Sequence, residues 1–310
     1  MTPGTAHFSF IGVTTARSAI MRVFPLWARH LGLDGVEMVG HDLPLRATPA
    51  TYRDVVGGIK AGAAELGGLV TSHKIDVFDA CGDIFDYVDP YAQLCGEVSC
   101  LSKRDGQFRA HAKDPISSGR ALDEFVPAGY WSARAADVLL FGAGGSNLAI
   151  SLHLLATRPP EDRPARIVVV NRGNERLERM RVVHERLGVT TPVRYVANAD
   201  PAVNDGLMAG LPDGSLVVNG TGMGKDTPGS PVTDEGVFPE EALVWELNYR
   251  GQLDFLHQAE RQQTGRRLVV EDGWRYFVHG WTCAMEEVFG VEMTPDVVGD
   301  LAGLASEVRV

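Results

Sequence analysis

Several features are missing from this chain. No apolar run is long enough to cross a bilayer. No cluster of Lys and Arg stands out either: 29 Lys+Arg face 40 Asp+Glu, a net charge of −11. The first absence argues against a membrane protein. The second argues against a nucleic-acid partner, because phosphate recognition needs a basic face. Cysteine is scarce. Cys81, Cys95, Cys100 and Cys283 have neither zinc nor redox spacing and read as small buried hydrophobes of a reducing compartment. The nine histidines are scattered, none paired with Cys or a carboxylate at ligand spacing, so no metal site is expected. There is no internal repeat and no low-complexity tract. A strand-like run follows within a few residues of the N-terminus, without a signal-peptide pattern, which predicts a cytoplasmic protein. What remains is an ordinary globular composition, 45% apolar and 22% charged over 310 residues, enough for two domains with their own cores.

One stretch organises the rest. Residues 138–150 read as a short buried strand, a glycine turn and the first turns of a helix. Gly142, Gly144 and Gly145, followed by Ser146 and Asn147, have the order a dinucleotide pyrophosphate needs. Glycines allow a sharp turn and a close backbone approach, and a helix N-terminus aims free N–H groups at the phosphates. On sequence alone an ordinary strand–helix turn of an α/β domain stays open as the alternative.

Taken in order, residues 7–13 predict a strand and residues 18–31 a helix with Pro25 awkwardly inside it. A second strand is predicted over 35–39 and a helix over 48–66 with Thr51 as its cap. Residues 67–74 predict a strand running into a loop, and 77–87 another helix. A hairpin follows around Asp105-Gly106, from 97–102 to 108–111. Beyond the glycine turn come strands over 166–170, 193–196, 215–219 and 243–247 and a charged helix over 175–187. Helices end the chain, over 274–289 and 295–308. Strands alternating with helices predict an α/β protein with mostly parallel sheets.

The strand over 166–170 ends in Asn171, Arg172 and, one turn on, Arg176. An NAD site usually places Asp or Glu at this strand end for the ribose 2′-OH. Two guanidiniums would instead attract a 2′-phosphate. NADP is therefore expected over NAD; a solvated basic patch is the alternative.

Further segments complete a pattern. They are Val70-Thr-Ser-His-Lys74, Gly96-Glu-Val-Ser-Cys-Leu101, His111-Ala-Lys-Asp114, Asn219-Gly-Thr-Gly-Met-Gly224 and Glu246-Leu-Asn-Tyr249. With the glycine turn and the Asn171–Arg176 segment, in this order, the chain resembles the shikimate dehydrogenase family over nearly its whole length. The resemblance implies an N-terminal αβ substrate domain over residues 1–118, completed by helices of 274–310 that pack back on it. It implies a Rossmann-type NADP domain over 119–273. It also implies that Lys74 and Asp114 are the catalytic pair, Lys74 exchanging the hydroxyl proton and Asp114 orienting it. Without the resemblance, Lys74 reads as a surface lysine. Tyr249 is implied at the substrate–nicotinamide junction, and Thr221 and Met223 on the cofactor.

The departures cluster at the substrate end. The family's Ser-x-Ser-Pro, whose hydroxyls hold the substrate carboxylate, is Ser18-Ala-Ile-Met21 here. Its Asn before Val-Thr is Leu69, its Asn-Thr is Ser99-Cys100, and its Asn-Thr before the catalytic aspartate is Ala112-Lys113. The C-terminal glutamine that reads a hydroxyl has no clear counterpart, His279 being the nearest polar residue. Each buried polar group left unpaired costs roughly 1–3 kcal/mol, so several losses would weaken shikimate use by orders of magnitude. The expected substrate is therefore another small polyol or hydroxy acid, read by Ser18, Thr71, Ser99, Tyr249 and His279, with Lys113 and Arg17 as candidate charges for an acid. Three rivals are an authentic shikimate or quinate dehydrogenase, a non-catalytic NADP-binding sensor, and a methylenetetrahydrofolate-type dehydrogenase. The sensor has no need of Lys74 and Asp114. The folate enzyme needs a flat aromatic platform that Thr71-Ser-His73 lacks. Monomer and homodimer are both open.

Overall fold

The computed structural model describes residues 5–188, 190–225 and 227–309. Two compact units divide the chain, Met1–Lys113 with Val278–Val310, and Asp114–Phe277.

The first unit is built on six strands: β1 (Ala6–Gly12), β2 (Val36–Asp42), β3 (Glu65–Val70), β4 (Tyr87–Val88), β5 (Cys100–Arg104) and β6 (Gln107–His111). Their order is β2-β1-β3-β5-β6-β4, parallel except that β5 runs against both its neighbours. Parallel neighbours need crossovers. Helices α1 (Ile20–His30), α2 (Pro49–Ala61), α3 (Lys74–Cys81) and α4 (Pro90–Cys95) lie between the strands of this unit. The expected hairpin forms where Asp105 and Gly106 both take positive φ, 54° and 73°, the backbone that Asp-Gly favours. On β3 adjacent glycines admit close neighbours: a Cβ on Gly68 would lie 2.5 Å from the Ser9 carbonyl oxygen.

The boundaries correct several expectations. Thr48, not Thr51, caps α2; its Oγ1 accepts the Thr51 N–H at 3.2 Å, and Pro49 follows at the first helical position. The helix stops at Ala61, before Gly62, and Glu65 already belongs to β3. Lys74 is not in a loop but opens α3, which ends at Cys81; Tyr87 instead pairs with Arg109 as an edge strand. Pro25 is accommodated inside α1 on its exposed face.

The second unit holds α5 (Asp114–Asp123), β7 (Val138–Phe141), α6 (Gly145–Leu152), β8 (Ile167–Asn171), α7 (Asn174–Leu187), β9 (Val193–Ala197), α8 (Pro201–Ala209), β10 (Leu216–Asn219), β11 (Leu243–Glu246), α9 (Asp254–Arg266) and β12 (Val269–Glu271). The sheet order is β12-β11-β10-β7-β8-β9, parallel throughout. Numbered from β7, that is the 3-2-1-4-5-6 order of the doubly wound dinucleotide fold, whose switch point falls between β7 and β10. Every residue of β7, β10 and β11 is buried, as continuous apolar parallel strands should be. α5, α8, α9 and β12 were not expected. α8 is announced by the cap-and-proline pair Asp200-Pro201, whereas α9 is mostly polar and buries only Phe255, Leu256, Gln258 and Ala259.

α10 (Trp274–Phe289) carries the chain from the second unit into the first, where α11 (Pro295–Ser306) follows. As expected, these C-terminal helices pack back on the first unit, α10 against its sheet and α11 against α1. The Trp281 ring meets Phe10 edge-on at 4.9 Å, Phe289 meets Phe8 at 5.1 Å, and Trp27 Nε1 donates to the Leu301 carbonyl at 2.7 Å. Among the described residues no helix is long and apolar enough to cross a membrane. Trp281 is only 5% exposed. Trp281→Ala should cost about 3–5 kcal/mol of stability; an unchanged denaturant midpoint would show that the C-terminal helices are dispensable to this core.

Candidate active site

A cleft of about 730 Å³, including space open to solvent, lies across the carboxyl ends of β7, β8 and β10 in the second unit. Its floor is the glycine turn. Gly142 has φ +99°, and a Cβ there would sit 2.8 Å from the Gly220 carbonyl oxygen. Gly144 is the N-cap of α6, with nothing within 4 Å of the position a Cβ would take. The turn thus leaves open space in front of a helix N-terminus, the geometry that anionic phosphates fit. Asn171 closes the β8 side: its Oδ1 accepts the Ala143 N–H at 3.4 Å and its Nδ2 donates to the Gly173 carbonyl at 2.8 Å. Arg172, Arg176, Thr221 and Met223 also line the cleft, and no carboxylate does among the described residues. Two guanidiniums without an opposing acid suit a 2′-phosphate.

Three residues depart from the simplest form of that picture. Gly145 and Ser146 lie on the first turn of α6 and are not among the residues lining the cleft. Asn147 is fully buried; its Nδ2 donates to the Phe141 and Gly142 carbonyls at 2.8 and 2.7 Å. It holds the turn in shape from behind. Asn198, Asn204 and Pro231, which the motifs did not single out, also line the cleft. Asn198 Nδ2 donates to Asn204 Oδ1 at 2.7 Å, and Asn204 Nδ2 to the Pro231 carbonyl at 2.8 Å. Their signal was positional: Asn198 follows the carboxyl end of a parallel strand.

Glu246, at the end of β11, is fully buried. Its carboxylate accepts from Asn219 Nδ2 at 2.6 Å and from the N–H and Nδ2 of Asn248 at 2.8 and 2.7 Å. Burial pushes its carboxyl up to about 7, aided by Asp272 and opposed by these donors. Tyr249, three residues on, packs against Trp274 and Phe277, with ring centroids at 5.6 and 5.0 Å.

In the first unit, Thr71, Lys74 and Ser99 come together at the carboxyl ends of β1 and β3. Thr71 donates its N–H and Oγ1 to the Ile11 carbonyl, at 2.9 and 3.3 Å. Ser72 takes φ 47°, and the chain then turns into α3 at Lys74. The Lys74 carbonyl accepts the Val98 N–H, and the Ser99 carbonyl accepts the Val70 N–H, both at 2.9 Å. Ser99 Oγ accepts the Lys113 N–H at 2.7 Å. Beside Lys74, His73 is fully buried, its Nδ1 3.0 Å from the Tyr52 hydroxyl, which donates to Asp76 at 3.2 Å. Ser18 follows the helical turn Thr15–Arg17 after β1. His279 is buried on α10. Asp114 opens α5 and belongs to the second unit, whereas Lys74 belongs to the first.

Lys113 is not available as a cation for an acidic substrate. Its Nζ lies 2.5 Å from Glu287 Oε2. Glu287 also faces His111 Nε2 at 3.3 Å and accepts from Ser102 Oγ at 3.4 Å. Burial raises the Glu287 carboxyl, but Lys113, His111 and Arg104 outweigh it and hold the group below its ordinary range.

The chain is 31% identical over 263 residues to the shikimate dehydrogenase (NADP(+)) of Symbiobacterium thermophilum, covering 84% of this chain and 82% of that protein. It belongs to the shikimate dehydrogenase family. No family model matches it. Among solved structures, a shikimate dehydrogenase in complex with NADP+ superposes with a TM-score of 0.75 at 21% identity, over 99% of this chain and 96% of that one. The ligand-free 5-ketofructose reductase of a Gluconobacter strain superposes with a TM-score of 0.73 at 20% identity, over 99% and 100%. At such identities the likeness is one of fold. Glu246 opens the Glu246-Leu-Asn-Tyr249 segment and is fully buried.

That burial has a measurable sign. A carboxyl raised to about 7 in the fold, from 4.5, holds its proton more tightly folded than unfolded. The stability it adds is complete below the unfolded value and lost as pH rises through the folded one. Between about pH 5 and about pH 8, wild-type protein should lose more thermal stability than Glu246→Gln. Parallel curves would mean that this carboxyl titrates at its ordinary value.

Proposed function

We propose that the protein is an NADP-dependent dehydrogenase, or ketone reductase, that moves a hydride between the cofactor and a secondary alcohol of a small cyclic polyol or hydroxy acid other than shikimate. The observation that carries this reading is a contrast within one chain. The nucleotide cleft, Lys74 and Asp114 are retained, while the positions that read the substrate carboxylate and hydroxyls have changed. Ile20, in place of the second serine, is fully buried and offers no donor. Cys100 is fully buried as well. Lys113, which could have supplied a charge for a carboxylate, is occupied by Glu287. The NADP(+)-dependent relatives support the choice of cofactor, as do Arg172 and Arg176 beside a cleft without a lining acid. The 5-ketofructose reductase supports the idea that this fold serves substrates other than shikimate.

When bound, NADP+ supplies a hydride-accepting ring. The chain must supply the rest. As the alcohol carbon gives up hydride, its hydroxyl proton has to leave, and the neutral Lys74 amine takes it; in the reductive direction the ammonium returns it. Asp114 is the carboxylate partner, which orients the amine and hydrogen-bonds the same hydroxyl. We assign Thr71 and Ser99 as hydroxyl readers beside Lys74, and Tyr249 as a further substrate contact. The relatives' own name favours one second reading, an authentic shikimate or quinate dehydrogenase with a rebuilt pocket.

Purified protein with NADP+ and a panel of shikimate, quinate, aminoshikimate and inositols, and with NADPH and 5-ketofructose, separates the two readings by nicotinamide absorbance. Turnover of an inositol or of 5-ketofructose with silence on shikimate and quinate supports the proposal. Fast shikimate or quinate oxidation would replace it with the second reading. Lys74→Ala should lower turnover about 10²–10⁴-fold with the cofactor still bound. Arg172→Ala should reduce the preference for NADP over NAD by about tenfold or more, the loss of one charge-assisted contact; an unchanged preference would remove Arg172 from the 2′-phosphate site.

A further inference from the structure

We infer, on the dinucleotide reading above, that Glu246 is a positioning residue: through Asn219 and Asn248 it sets where the wall of residues 221–223 stands, at the nicotinamide end of the cleft. Asn219 ends β10, Glu246 ends β11, and the two are paired in register. All three side chains are buried: Glu246 and Asn219 are 0% exposed and Asn248 7%.

Above about pH 7 the Glu246 carboxyl is ionised and can only accept hydrogen bonds. Each asparagine must therefore turn its NH₂ toward Glu246, as both do. That choice orients the rest of each amide. Asn219 is left with Oδ1 facing the loop, where it accepts the Thr221 N–H at 3.1 Å and the Thr221 hydroxyl at 2.7 Å. The Thr221 Oγ1 then accepts the Met223 N–H at 3.1 Å. Asn248 Nδ2 also donates to the Met223 carbonyl at 3.1 Å. The backbone of Met223 is thus held at both its N–H and its carbonyl by groups that Glu246 orients. A glutamine at 246 keeps one acceptor oxygen, so its NH₂ would face either the Asn219 amide or the Asn248 donors and set donor against donor on that side.

The sheet order says which end of the cofactor this wall serves. β8 and β10 flank β7 on opposite sides. Arg172 and Arg176 follow β8, so a dinucleotide laid over the glycine turn with its 2′-phosphate there carries its nicotinamide half toward the β10 exit. Thr221 and Met223 line the cleft on that side.

The test uses two ligands, NADP+ and adenosine 2′,5′-bisphosphate, which lacks the nicotinamide half. Both are titrated by calorimetry, at about pH 8.5 where Glu246 is ionised, into the wild-type chain, Glu246→Gln and Glu246→Asp. NADP+ should bind Glu246→Gln about tenfold more weakly, while the fragment changes by less than about twofold. Glu246→Asp keeps an acceptor-only group and should recover part of the loss. Equal NADP+ affinity in wild type and Glu246→Gln would overturn the inference, as would a proportional loss of both ligands, which marks general structural damage. Failure of wild type to bind either ligand would overturn the dinucleotide reading, and the inference with it. Should Glu246→Gln not fold, Asn248→Ala removes the Met223 carbonyl contact and leaves Glu246 in place. NADP+ should then weaken about threefold with the fragment unchanged, and unaltered NADP+ binding would overturn the inference.

Discussion

The second unit depends on a backbone contact. The exits of β7 and β10 meet where Gly142, at φ +99°, leaves no room for a Cβ beside the Gly220 carbonyl. The Gly220 N–H donates to the Phe141 carbonyl at 2.9 Å, and the Gly142 N–H to the Val170 carbonyl at 2.7 Å. Asn147 clamps the same two residues from inside α6. Three strand ends are so tied together that the next segments must diverge, and their divergence opens the cleft. Any side chain larger than hydrogen at Gly142 would push apart the strands whose meeting defines it.

Buried polar groups then give the cleft its walls. Apolar packing alone leaves a loop such as 220–224 without a preferred position, because its backbone donors can pair with water. Glu246, Asn219 and Asn248 remove that freedom, each partner's acceptor or donor being fixed by the next. The position costs a buried carboxyl, which shows in a proton held up to about 7. In the first unit a different network, Glu287 with His111, Ser102 and Lys113, neutralises a lysine one residue before Asp114. The two networks differ in what they compensate. One has donors gathered on a single acid. The other is an ion pair that lets a charged residue occupy a position where the family pattern has none.

Local signals were legible where one residue type answers one backbone need. The Asp105-Gly106 hairpin, the glycine turn before α6 and the parallel sheet of the second unit could all be read from order and spacing. Gly142, Gly144, Asn171, Arg172, Arg176, Thr221 and Met223 line one cleft, because a parallel sheet collects the carboxyl ends of its strands at one edge. Less legible were elements whose apolar pattern is weak or short. α9 buries a narrow stripe among polar residues, α4 is only six residues long, and β4 is a two-residue edge.

The amino-acid sequence by itself determined the α/β class, the family and the glycine turn before α6, since these follow from residue types needed at fixed local spacing. Only the tertiary structure decided that Asn147 holds the turn from behind rather than lining the cleft. The same is true of Asn198 and Asn204 as part of that lining, and of Lys113 as the partner of Glu287. Each depends on residues far apart in the chain meeting at one place. Glu246 shows the difference most plainly. In sequence it is one acid near the end of a short apolar run; in the fold, β10 and β11 pair in register and set it against Asn219, 27 residues away. Hydrogen bonds act over about 3 Å, and sequence distance carries no information at that range.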